Sequence, residues 1–193
     1  VISGMTLDRY LSKTIFTPLG MRDTSFGVPE SKHHRVAENM TDIATGEKIE
    51  LIDVKKPMTL FAGGHGLSST ADDYIRFCQM MLNGGELDGI RILSPKIVLF
   101  MSTNHINENI SKGRLYLPGP GYGFGLGFAT RLEDGQSVWP GSVGEYFWAG
   151  YGGTYFWIDP AEELVVSFMS QYPYRRNENR VLLRNLVYQS IID

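Results

Sequence analysis

Apolar residues recur every three to four positions in four segments of this chain and every second position in the stretch between the third and the fourth. In "MTLDRYLSKTIFTPLGM", Leu7, Tyr10, Leu11 and Ile15 share one helical face; Thr6 stands at the N-cap, and Pro18 and Gly20 close the segment. From Arg22 to Pro57 the period fades, which predicts a long irregular excursion with a short strand pair around Lys48 to Val54. "SSTADDYIRFCQMMLNGG" predicts a second helix: Thr70 and Asp73 form a capping box, Ile75, Cys78 and Leu82 share a face, and Gly84 and Gly85 stop it. "LSPKIVLFMSTN" predicts a third, with Ser94 as N-cap and Pro95 at the first helical position. "NENRVLLRNLVYQSIID" closes the chain with a stripe of Leu183, Val187 and Ile191 that should lie on a sheet.

After Pro118 the period is two. In "GYGFGLGFAT" the side chains of Tyr122, Phe124, Leu126 and Phe128 alternate with Gly123, Gly125, Gly127 and Ala129, so one face is bulky and the other bare, open to close approach by a helix or another backbone. "GSVGEYFW", "GTYFWID" and "ELVVSFMSQY" read as further strands, the last two joined by a hairpin at Asp159-Pro160. "EYFWAGYGGTYFWIDP" sets Ala149, Gly150, Gly152 and Gly153 between two aromatic clusters. Two readings are open. The small residues serve a bulged turn, or they strip a strand edge so that a substrate can lie against its N–H groups.

Composition narrows the classes. With 193 residues, 42% hydrophobic and 20% charged, the chain can bury a core and reads as one domain over residues 1–193: a mostly helical, loop-rich part over 1–118, then a sheet and terminal helix over 119–193. A net charge of −3 argues against a nucleic-acid surface. No run approaches the roughly 20 apolar residues of a membrane span. One cysteine, Cys78, excludes an internal disulfide or a cysteine zinc cluster, and its apolar neighbours predict core filler. The four scattered histidines do not form a metal motif, and neither a phosphate-binding loop nor a G-x-S-x-G elbow occurs, so no metal or cofactor is expected. His65 stands apart, because "FAGGHGLSST" places it among glycines just ahead of a capped helix, where a pocket wall competes with plain exposure.

"IFTPLGMRDTSF", "GGHGLSSTADDYIRF", "ILSP", "GYGFGLGF" and "WAGYGGTYFWIDPAEELVVSFMSQ", taken in order, resemble the C-terminal part of the penicillin-recognising serine hydrolases: class C β-lactamases, D,D-peptidases and, most closely, family VIII esterases. The resemblance implies an α+β fold, an antiparallel sheet flanked by helices with part of a helical subdomain, and an N-terminal portion outside this sequence. It agrees with the order of helices and strands read above.

That family works through a Ser-x-x-Lys, a Tyr-x-Asn or Tyr-x-Ser, and a Lys-Thr-Gly. No Ser-x-x-Lys occurs here, and Tyr10-Leu11-Ser12 falls inside the first predicted helix, on the wrong side of its neighbours for the second motif. Trp148-Ala149-Gly150 stands where Lys-Thr-Gly would. The resemblance then assigns one oxyanion donor to the backbone N–H of Tyr151, a cleared edge to Gly150 and a flat apolar wall to Trp148, and it puts Gly64, His65 and Ala149 around the acyl group. Losing the lysine favours neutral esters or amides as small-molecule substrates. The implied parent is an esterase-like serine hydrolase acting through an acyl-enzyme, with this chain inactive alone. Alternatives are a non-catalytic binding module or stable fragment, and a β-lactamase or D,D-peptidase. The strand Leu164 to Gln171 would need a neighbour, either the N-terminal portion or a dimer partner.

Overall fold

Thr70 and Ser94 start their helices as their side chains predict. The structure, a computed structural model, describes residues 2–107, 110, 112–113 and 116–192; Val1 and Asp193, the ends of the span read as one domain, lie outside them. The Thr70 hydroxyl accepts from the Asp73 N–H at 3.2 Å to open α2 (Ala71–Leu82), and Ser94 accepts from the Ile97 N–H at 3.3 Å to open α3 (Pro95–Ser102). The capping box at α2 is half formed. The Asp73 carboxylate turns away and accepts from the Asp23 N–H at 2.6 Å and the Thr24 hydroxyl at 2.8 Å, tying the helix to the loop before it.

The first helix keeps most of its predicted face: Leu11 and Ile15 pack on the core and Leu7 is half-buried, while Tyr10 is exposed. α1 (Leu7–Leu11) runs into a π-helical segment, Ser12–Phe16, with Thr17 N–H bonded to the Ser12 carbonyl at 2.9 Å, and Thr6 makes no side-chain cap. Beyond Ser12 the wider π-helical turn ends at Phe16, which with Leu19 lies in the core. The irregular excursion is present, but the strand pair expected at Lys48 to Val54 is not. The only pairing this region makes, among the described residues, is remote: β1 (Ser25–Phe26) with β2 (Leu67–Ser68). A hairpin of β3 (Glu86–Leu87) and β4 (Ile90–Arg91) follows α2.

Five strands make the main sheet, all neighbours antiparallel in chain order: β5 (Tyr122–Phe124), β6 (Ala129–Arg131), β7 (Tyr146–Ala149), β8 (Tyr155–Asp159) and β9 (Leu164–Phe168). The period-two run is therefore not one strand. It folds back, with Gly123 opposite Thr130 and the Gly125 N–H bonded to the Phe128 carbonyl, which throws Leu126 out and Phe128 into the core. Its bare face serves packing, since a Cβ at Gly123 would run into Asn104 and one at Gly125 into the Met101 carbonyl. β8 is buried at all five residues because both faces are covered. Phe156 and Ile158 meet Cys78, Met80 and Met81 of α2; Tyr155 and Trp157 meet α4 (Arg176–Gln189) through Leu183, Val187 and Tyr188. Ile191 falls beyond that helix.

Candidate active site

β7 and β8 are joined by a tight turn in which the Gly150 N–H donates to the Thr154 carbonyl at 2.9 Å and the Gly153 N–H donates to the Gly150 carbonyl at 3.2 Å. The small residues are needed for this turn to close. A Cβ on Gly150 would overlap the Thr154 hydroxyl; one on Gly152 would stand 2.7 Å from Gln171 Oε1; and Gly153 takes φ +120° against Ser170. The turn leaves the backbone N–H groups of Tyr151, Gly152 and Thr154 without an acceptor among the described residues. Tyr151 itself is exposed.

α4 supports this hairpin with three arginines one turn apart. The Arg176 guanidinium lies 4.7 Å from the Tyr151 ring centre. Arg180 Nη2 donates to the Gly150 carbonyl at 2.5 Å and to the Thr154 carbonyl at 3.3 Å. Arg184, fully buried, donates through Nε to the Tyr155 hydroxyl at 2.7 Å and through Nη1 to Glu145. Glu145, also fully buried, further accepts from Arg131 Nε at 3.0 Å and from the Tyr122 hydroxyl at 2.6 Å. The Tyr188 hydroxyl bridges to buried Asp159 at 2.6 Å. Two carboxylates and two guanidiniums thus balance in charge inside the sheet–helix layer. Burial, with the neighbouring carboxylates, raises the pKa values of Tyr122 and Tyr188, and burial raises that of Tyr155, so all three stay protonated and can donate. Burial opposes the Arg184 charge, but Tyr155 and Glu145 outweigh it and hold its pKa above the ordinary value.

The predicted site residues divide. Trp148, Ala149, Gly150 and Tyr151 run in sequence from the end of β7 into the turn; Trp148 is half-buried, its ring edge-on to Phe124 at 5.1 Å, and Ala149 pairs with Tyr155. Gly64 and His65 stand on the loop before β2, both exposed, Gly64 with open space where a Cβ would be. No hydrogen bond or ring contact joins them to the β7–β8 turn among the described residues. A groove of about 640 Å³ lies elsewhere, lined by Phe26, His33, Lys55 and Met58 among others. The described residues hold no cluster of three or more His, Cys, Asp or Glu placed to bind a metal, and no helix is long and apolar enough to cross a membrane. Arg180, Arg184 and Glu145 were not singled out from sequence. The signal was available in the four-residue spacing of Arg176, Arg180 and Arg184, with Leu183 and Val187 on the same helix.

Comparison with known proteins identifies the class. Residues 1–189 match the Beta-lactamase family, and the chain belongs to it. Protein Rv1367c of Mycobacterium tuberculosis is 33% identical over 181 residues, covering 89% of this chain and 45% of that protein. Among solved structures, EstCE1, a hydrolase with promiscuous acyltransferase activity, superposes with a TM-score of 0.76 at 21% identity over 97% of this chain and 52% of its own. Simvastatin synthase (LovD) from Aspergillus terreus gives 0.76 at 21% identity over 99% and 52%. The fold is that of the serine β-lactamase and penicillin-binding-protein-like superfamily, and the chain spans about half the length of these relatives.

Proposed function

We propose that this chain is the C-terminal portion of an esterase-like serine hydrolase, and that it contributes the part of an acyl-transfer site that receives the carbonyl oxygen. The observation that carries the reading is the N–H of exposed Tyr151, unpartnered among the described residues, immediately after Trp148-Ala149-Gly150 on the β7–β8 turn. A fixed N–H stabilises the oxyanion of a tetrahedral intermediate, and loss of one such donor costs about 2.7–4 kcal/mol of transition-state stabilisation. The second donor, the nucleophilic serine and its base would come from the N-terminal portion of the same protein, or from a dimer partner. The outer edge of β9, unpaired among the described residues, offers such a segment a place to add as a strand. The substrate would be a small neutral ester or amide, since Trp148 supplies no cation for a carboxylate; Gly64, His65 and Ala149 would border the acyl group.

The test compares the 193-residue chain with its longer parent. The parent should give a burst with an activated p-nitrophenyl ester and a single fluorophosphonate adduct on a serine outside this sequence, and the isolated chain should give neither. An adduct on any serine within residues 1–193 would overturn the assignment.

A further inference from the structure

We propose that Arg180 is the positioning residue for the oxyanion donor, acting through the Gly150–Tyr151 peptide; the inference rests on the reading of Tyr151 just given. The Gly150 carbonyl and the Tyr151 N–H belong to one planar trans peptide, so they point in opposite directions. Whatever fixes the carbonyl aims the N–H. Here the carbonyl is held twice, by the Gly153 N–H at 3.2 Å within the turn and by Arg180 Nη2 at 2.5 Å from α4. The same nitrogen reaches the Thr154 carbonyl at 3.3 Å, so one guanidinium grips both ends of the turn. The N–H is thereby directed away from α4, toward the side of the hairpin where none of the described residues accepts it.

The geometry of the neighbours supports a dedicated role. Arg180 has no carboxylate partner among its described contacts; it bonds to the two carbonyls and, at 3.3 Å, to Asn177 Oδ1, and its guanidinium lies 5.7 Å from the Tyr155 ring centre. Its charge is therefore spent on backbone dipoles. A cation on the Gly150 oxygen polarises the peptide and makes the Tyr151 hydrogen a stronger donor. One turn further along α4, Arg184 binds Glu145 at the opposite end of β7, so the helix that aims the donor is itself locked in register to the strand that carries it.

The experiment uses the full-length parent with Arg180→Met and Arg180→Lys. Kinetics on an activated ester should show kcat reduced about 10- to 100-fold in R180M, the range expected when a reacting group is misplaced rather than removed, with KM within twofold of wild type. R180K, which keeps a charge and a donor, should recover part of that loss. Tyrosine-selective 15N labelling, with Y151F identifying the resonance, should show the Tyr151 amide shifted and broadened in R180M. If R180M fails to fold, R180K carries the same two measurements and should show the same changes in reduced size. An unmoved Tyr151 amide, or a kcat within twofold of wild type in the folded variant, would overturn the proposal while leaving the donor assignment intact. A full-length wild type without esterase turnover would overturn both.

Discussion

The two ends of β7 are built on opposite plans. At its start, Glu145 is fully buried and takes hydrogen bonds from Arg131, Arg184 and Tyr122, and even the preceding loop closes on it: a Cβ at Gly141 would stand 2.5 Å from its carboxylate. At its end, Gly150 enters a turn with an exposed residue and, among the described residues, donors left over. The first end fixes the strand's position and the second presents it. A donor can be kept ready without a protein partner only when the strand behind it cannot slide, because register shifts move every side chain to the wrong face.

The largest test of this contrast is Glu145→Ala, which leaves the Arg131 and Arg184 charges buried and unpaired. Breaking a buried pair from one side costs about 3–5 kcal/mol, so the variant should unfold at much lower urea than wild type, or not fold. A loss near 1 kcal/mol would mean that this end is not the anchor. Alkaline unfolding reads the same cluster without mutation. The folded-state pKa values of Tyr122, Tyr155 and Tyr188 lie above the ordinary 10.0, so their contribution is fully present below pH 10 and is lost as pH climbs toward the folded values. Urea midpoints should therefore fall from about pH 10 upward. The open end should respond least: Gly150→Ala forces the Thr154 hydroxyl aside and should cost about 1–3 kcal/mol, and a Gly150→Ala/Thr154→Ala double variant should regain most of it. If the double variant is no better, crowding at Thr154 is not why glycine stands there.

Much of this architecture could be read from the chain, and the failures have physical reasons. α2 and α3 were legible because their signals are local, a hydroxyl at the N-cap and glycine or proline beside it. The period-two run at 121–130 misled because alternation cannot mark where a strand turns back; Leu126 continues the pattern and yet is exposed on the turn. In the first helix Leu11 and Ile15 pack as the spacing predicts, but Phe16 was missed, because a π-helical turn leaves no trace in spacing counted at 3.6 residues. For the site, the stretch from Trp148 to Tyr151 could be found by resemblance to a motif. The arginine repeat on α4 is visible in the spacing, but the role of Arg180 is not, since its partners are backbone carbonyls 26 and 30 residues away, which no side-chain pattern records.

Cys78, on α2 at 0% exposure, gives the molecule an internal clock. Burial pushes its thiol pKa up to about 12, so in the native state it is both out of reach and largely protonated near neutrality. An alkylating reagent can therefore label it only after α2 has parted from β8 and β9. Where labelling outpaces reclosing, its rate is the rate of those separations, and where reclosing is faster it reports their equilibrium, in either case without any introduced dye.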